Sequence, residues 1–92
     1  MTVSGHAIRS CLTSLLAQRS QGGSICPSEV ARALGTGHDD WRGLMAPVRA
    51  EAQRLARAGV LLITQGPDVL DPDGPLKGPI RLRRGPRFND IL

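Results

Sequence analysis

The spacing of the apolar residues changes along the chain, and this change limits the fold more than any other feature. Up to residue 58, apolar side chains recur every three or four residues, which is typical of helices with one buried face. After residue 59 they fall in short β-rich runs, and residues 79–83 alternate between apolar and charged side chains. The sequence therefore predicts helices first and most of a small sheet afterwards.

Three helices are predicted, over residues 5–19, 27–35 and 45–58. Two prolines help to set where the second and third helices begin. Pro27 and Pro47 each fit a first helical turn, because an amide hydrogen at that position would have no partner within the helix. Pro47 also disfavours helical geometry at the residue before it, so the third helix is expected to begin close to it.

Strands are predicted over residues 24–26, 60–64 and 79–83, with a brief additional strand at Val69-Leu70. The resulting order of elements is typical of a winged helix-turn-helix. This is an α+β fold, mainly α, in which a small antiparallel sheet flanks three helices. A three-helix bundle with an irregular C-terminal segment is the competing interpretation, and the β-rich stretches count against it.

The 92 residues are enough for one small domain. We assign residues 1–84 to it and expect residues 85–92 to form a loosely ordered C-terminal tail. The apolar stripes of the helices predict a shared core. Its expected members are Leu12, Leu15, Val30, Leu34, Trp41, Val48 and Leu55.

The net charge of +4 lies entirely in the second half of the chain. Residues 1–41 hold three cations and three anions, whereas residues 42–92 hold nine cations and five anions. Eleven of the twelve cations are arginine, whose planar guanidinium suits phosphates and base edges. Coding bias would produce the same arginine-rich and alanine-rich composition. The charge alone is therefore a weak indication of nucleic-acid binding.

Several blocks of sequence stand out as a set. They are Ser24-Ile25-Cys26-Pro27-Ser28-Glu29-Val30-Ala31-Arg32-Ala33-Leu34, Trp41-Arg42-Gly43-Leu44-Met45, Val48-Arg49, Thr64-Gln65 and Gly78-Pro79-Ile80-Arg81-Leu82. Together they resemble a family of small bacterial proteins known as a domain of unknown function. The resemblance spans roughly residues 5 to 84 and implies a winged-helix fold; it brings no activity, cofactor or catalytic residue. Some relatives carry an extra cysteine-rich module, which a chain with two cysteines lacks.

In a winged helix the third helix lies at the DNA major groove. Arg42, Arg49 and Gln53 are expected at base edges, since arginine pairs with guanine and glutamine with adenine. The expected phosphate contacts, on the same helix and on the wing, are Arg54, Arg57, Lys77, Arg81, Arg83 and Arg84. Each of these is equally explained as part of a solvated charged face. Glu51 would repel phosphate, and we expect it to pair with Arg54 or to face solvent.

A protein-docking module with no nucleic-acid binding is the alternative function. Trp41, Leu44 and Met45 would anchor the partner if their turn is exposed, because tryptophan is frequent at interaction hot spots. Trp41 as the largest core residue is the simpler interpretation. A buried Trp41 beside a shared basic surface would favour DNA, and an exposed Trp41 with scattered charges would favour docking.

Catalysis is not expected, because the sequence shows no nucleophile with a nearby base and no glycine-rich phosphate loop after a strand. His38-Asp39-Asp40 is better explained as a polar loop with a helix cap than as a metal site. Cys11 and Cys26 are expected to be reduced and unpaired.

No apolar run approaches the ~20 residues of a membrane span, and no secretion signal is visible. These features predict a cytoplasmic monomer with no metal, no cofactor and no membrane contact.

Overall fold

The computed structural model describes residues 4–20, 22–35 and 40–91. Within these ranges there are three helices: α1 at Gly5–Gln18, α2 at Pro27–Leu34 and α3 at Met45–Arg57. The strands are β1 at Ser24–Ile25, β2 at Leu61–Gln65, β3 at Asp68–Val69 and β4 at Arg81–Arg84. Short 3-10 turns occupy Asp40–Leu44 and Phe88–Ile91. The predicted class, α+β and mainly α with a small antiparallel sheet, is confirmed.

Two of the helices begin at side chains that cap them. The Ser4 hydroxyl accepts a hydrogen bond from the Ala7 amide at 3.1 Å, which satisfies one of the free donors of α1. At α2 the Glu29 carboxylate accepts from the Cys26 amide at 2.7 Å, and Arg19 donates to the same carboxylate at 2.6 Å. The helix cap predicted within His38-Asp39-Asp40 lies outside the residues whose side chains are described.

The sheet has the order β1-β4-β2-β3, and every neighbouring pair is antiparallel. Leu82 of β4 stands opposite both Ile25 of β1 and Ile63 of β2. The pairing predicted between residues 60–64 and 79–83 is thus confirmed. The last strand begins at residue 81 rather than 79, since Pro79 has no amide hydrogen to give to the ladder.

The core lies between the three helices and the inner face of the sheet. Four residues predicted for it are buried, while Leu15, Leu34 and Trp41 are half-buried at its edge. The four buried ones are Leu12, Val30, Val48 and Leu55. The sheet and the residue before β4 add a set that the helical pattern could not include: Ile25, Leu61, Ile63, Ile80 and Leu82.

Residues 85–88 lie against the domain in the C-terminal segment that was expected to form a tail. The Gly85 amide donates to the Val60 carbonyl at 2.9 Å, and the Arg87 amide donates to the Gly59 carbonyl at 2.8 Å. Phe88 is only 2% exposed and belongs to the core cluster. An aromatic side chain of this size buries enough apolar surface to hold the chain against the domain. Leu92, the last residue of the expected tail, lies outside the described residues.

Candidate nucleic-acid interface

Three of the predicted site residues form one stripe along α3. Arg49, Gln53 and Arg57 are spaced four residues apart and so share a helix face. All three donate to the β3–β4 loop, which we define as residues 70–80. Arg49 donates to the carbonyl oxygens of Leu76 and Gly78 at 3.2 and 3.1 Å. The loop therefore lies along the helix face that the sequence assigned to base contacts.

Gln53 and Arg57, the other two residues of the stripe, also donate hydrogen bonds to this loop. The side-chain amide of Gln53 donates to the Pro72 carbonyl at 3.1 Å. Arg57 donates to the Asp73 carboxylate, in an ion pair whose two side chains are mostly exposed. With the loop in this position, Arg49 and Gln53 are half-buried and donate to loop carbonyls, so their base contacts stay a prediction.

A second face of α3 is open to solvent. It carries Ala46, Ala50 and Arg54 at four-residue spacing, and Arg42 is exposed on the turn before it. Arg54 pairs with Glu51 through two hydrogen bonds, as expected, but Glu51 is 8% exposed and does not face solvent. The hydrogen bond to Glu51, and then its negative charge, raise the pKa of Arg54. This face therefore has small side chains at its centre and an arginine at each end, and one of the two, Arg54, is paired with Glu51.

Trp41 lies beside the start of this open face. It is half-buried and packs against the core, and the guanidiniums of Arg32 and Arg42 lie 4.6 and 4.8 Å from the centre of its ring. Gly35 makes this packing possible, since a Cβ there would come within 3.2 Å of the Trp41 Cβ. Arg32 was missed as a site residue because nothing in its own helix signals a contact with residue 41.

The three arginines that were predicted to act together on the wing all lie on β4, but they do not all point to the same face of the sheet. Arg81 and Arg83 are exposed and point to the outer face of the sheet, about 6.7 Å apart along the strand. Arg81 donates to the hydroxyl and the carbonyl of Ser24 at 3.0 and 3.1 Å. Arg84 is the next residue and points to the other face. Only the first two of the three therefore share an outward surface.

Arg84 caps the C-terminal end of α1. Its guanidinium donates to the carbonyl oxygens of Leu16, Ala17 and Arg19, with the shortest bond, to Arg19, at 2.8 Å. Its Cζ atom also lies 5.0 Å from the centre of the Phe88 ring. The last carbonyls of a helix lack partners within the helix, and Arg84 satisfies those of Ala17 and Arg19 and adds a second donor to that of Leu16, which already accepts from the Arg19 amide. Its position assigns it a structural role.

Comparison with known protein families identifies the family of this chain. A family model described as "Protein of unknown function (DUF3253)" matches residues 5–85. The chain belongs to the DUF3253 family. The resemblance to a family of unknown function is thereby confirmed, and no curated protein matches the chain. The matched region of the DUF3253 domain contains α3, the β3–β4 loop and β4, and it ends before Phe88.

Arg84→Ala should destabilise the DUF3253 domain by about 1–3 kcal/mol, because several carbonyl groups lose their donor. Arg84→Lys should recover only part of the loss, since a lysine cannot present the fork of donors that reaches three carbonyls. Urea unfolding followed by circular dichroism measures both. The matched control is Arg83→Ala, which removes the same charge from a side chain with no hydrogen-bond partner among the described residues. Equal midpoints for the Arg84 and Arg83 variants would contradict the capping role.

The two cysteines of the DUF3253 chain are free thiols, as predicted. Partial burial raises the pKa of Cys11, while Cys26 accepts a hydrogen bond from the Ser28 hydroxyl at 3.1 Å.

Among residues 4–20, 22–35 and 40–91, no three His, Cys, Asp or Glu side chains are grouped so that they could hold a metal ion. In the same residues, no helix has the length and apolar character that crossing a membrane requires.

Proposed function

We propose that this DUF3253 protein is a winged-helix module that binds double-stranded DNA. The observation that carries the proposal is the open face of α3, where the exposed Ala46 and Ala50 stand between Arg42 and Arg54. Small side chains let the backbone of a helix approach a groove closely, and arginines at either end can reach the phosphates that border it. The proposal includes a cytoplasmic location, where the DNA of a bacterium is found.

The arrangement of the elements supports the same function. The elements follow one another as helix, strand, helix, helix and strand. In the sheet, β4 lies between β1 and β2 and pairs with both. This arrangement supports the winged helix that we propose. The β3–β4 loop then takes the place of the wing, and α3 takes the place of the helix that enters the groove.

The proposed contacts are mainly to phosphate rather than to bases. Arg49 and Gln53 donate to loop carbonyls, and Arg84 donates to the end of α1. The exposed arginines that we propose for the DNA backbone lie on the open face of α3, at its C-terminal end and on the outer face of β4, and those with partners in the protein would exchange them for phosphate. They are Arg42, Arg54, Arg57, Arg81 and Arg83. Binding of this kind tolerates most sequences, because phosphates carry no base information.

The docking alternative draws less support from the surroundings of its expected anchor. Trp41, Leu44 and Met45 are all half-buried and pack against the core. The ring of Trp41 is also in contact with two guanidiniums. A hot-spot anchor needs a large apolar side chain that is free to enter a partner's pocket. We therefore keep protein docking as the outcome that remains if DNA does not bind.

Fluorescence anisotropy with a labelled, mixed-sequence DNA duplex over a series of salt concentrations tests the proposal. The dissociation constant should rise steeply with salt, because each neutralised phosphate releases counterions. Three or four phosphate contacts predict a log–log slope of roughly −3 to −4 for the association constant. A flat titration at low salt would exclude DNA binding and leave the docking module.

Arg81→Ala combined with Arg83→Ala should flatten that slope by about one to two units and weaken different duplexes to the same degree. The reason is that both side chains leave the same outer face of β4 and carry no sequence information. Arg9→Ala is the charge control, since it removes a cation from α1, outside the proposed contacts. A slope unchanged by the double substitution would remove β4 from the interface.

A further inference from the structure

The two ends of the β3–β4 loop are firmly held. Ile80 is buried in the core, and Leu70 and Leu76 pack against it. Gln65 of β2 donates to the carbonyl oxygens of Lys77 and Pro79 at 2.7 and 3.1 Å. Together with the bonds from α3 to residues 76 and 78, these contacts fix the loop from residue 76 onwards.

The middle of the loop, residues 71–75, is a self-contained turn that carries two acidic side chains. The Asp71 carboxylate accepts from the Asp73 amide at 2.9 Å, and its carbonyl accepts from the Gly74 amide at 3.0 Å. Because these bonds are internal, the turn can keep its shape if it moves as a unit. We call residues 71–75 the acidic flap.

The acidic flap rests on the cationic stripe of α3 through one exposed ion pair and one partly buried hydrogen bond. Asp73 pairs with Arg57, and the Pro72 carbonyl accepts from Gln53. The side chains of both Arg57 and Asp73 are more than half exposed, so water and salt screen their attraction. The Asp73 carboxylate pairs with the guanidinium of Arg57, which a DNA phosphate would otherwise contact.

We infer that the acidic flap is an autoinhibitory cover on the DNA site and that duplex DNA displaces it. This inference rests on the proposed function. Moving the flap frees Gln53 and Arg57, and it takes two negative charges away from α3. A phosphate of DNA replaces the Asp73 carboxylate at Arg57. Binding then exchanges one exposed ion pair for another and adds the attraction of the neighbouring phosphates.

The test compares duplex binding by Asp73→Asn and by its matched control, Asp68→Asn, which makes the same charge change at the first residue of β3. Asp73→Asn should lower the dissociation constant for the duplex about two- to fivefold more than the control does. This factor corresponds to the free energy of one exposed ion pair. The salt slope should stay within about half a unit of that of the unaltered protein, because a phosphate contacts Arg57 in both complexes and the number of phosphate contacts is unchanged. Adding Arg57→Ala should abolish the gain, since the gain acts through Arg57.

The possible outcomes separate this inference from the proposed function. If the unaltered protein binds DNA and Asp73→Asn behaves like Asp68→Asn, the cover is excluded and DNA binding stands. If the gain survives in the Arg57→Ala background, the cover is likewise excluded. If DNA binds to Asp73→Asn but not to the unaltered protein, the cover is complete and the inference is confirmed. If neither binds, both the proposed function and the inference are excluded. Thermal melts of each variant confirm that it is folded.

Discussion

Phe88→Ala should lower the free energy of unfolding by about 3–5 kcal/mol, the usual cost of removing a buried aromatic side chain. Phe88 is 2% exposed and shares its cluster with residues from all three helices and the sheet. The loss is a large part of the stability of a small domain, so the variant should be partly unfolded at room temperature. Urea titration followed by Trp41 fluorescence measures the change.

Asn89→Ala is the control for this substitution, because Asn89 is the exposed neighbour of Phe88. It should stay within about 0.5 kcal/mol of the unaltered protein. A Phe88→Ala variant that unfolds at the same urea concentration as Asn89→Ala would show that the C-terminal segment is not part of the core.

Leu55→Ala should cost about 2–5 kcal/mol, because it leaves a cavity where α3 packs against the rest of the core. Leu55 is buried in the same cluster as Val48 of α3 and Leu61 of β2. Differential scanning calorimetry gives the change in melting temperature and enthalpy.

The control for Leu55→Ala is Val69→Ala, a truncation of an aliphatic side chain that is 61% exposed. It should change stability by less than about 0.5 kcal/mol. If the two variants melted together, α3 would not be packed through Leu55.

The helices and strands could be predicted because local signals agreed with the fold. Pro27 is the first residue of α2, and Pro47 lies in the first turn of α3, as their lack of an amide hydrogen predicts. The alternation around Leu82 identified β4, whose buried residue stands between two charged ones. Hydrophobic period and proline chemistry are local properties, so a single sequence carries them.

The roles of two C-terminal residues could not be predicted in the same way. Phe88 has apolar residues at helical spacing on one side only, Ile91 and Leu92, and so short a pattern does not mark it as buried. Arg84 follows Arg83 directly and differs from it only in the face of β4 to which it points. Its partners at the end of α1 lie 65 to 68 residues away in the chain. Such a contact exists only in the folded structure.

The candidate site was predicted in part. The stripe of Arg49, Gln53 and Arg57 follows from helical spacing, and the structure brings the three together on one face. What the spacing could not predict is that their hydrogen-bond acceptors belong to this chain. Loop carbonyls have no residue-specific signature, since every residue carries one. An arginine that binds its own backbone therefore looks the same in sequence as one that binds DNA.

The central position of β4 also determines the order in which the domain can assemble. β1 and β2 both pair with β4 and not with each other, and the bonds from Arg81 to Ser24 join residues 57 positions apart. During synthesis, the three helices can form and associate while the sheet has no central strand. Sequence-distant pairing is slow, because the chain must lose much of its freedom before the contact forms. Until residue 84 has left the ribosome, the strands β1 and β2 expose unpaired edges, and this is the stage at which a nascent chain should be most prone to aggregate.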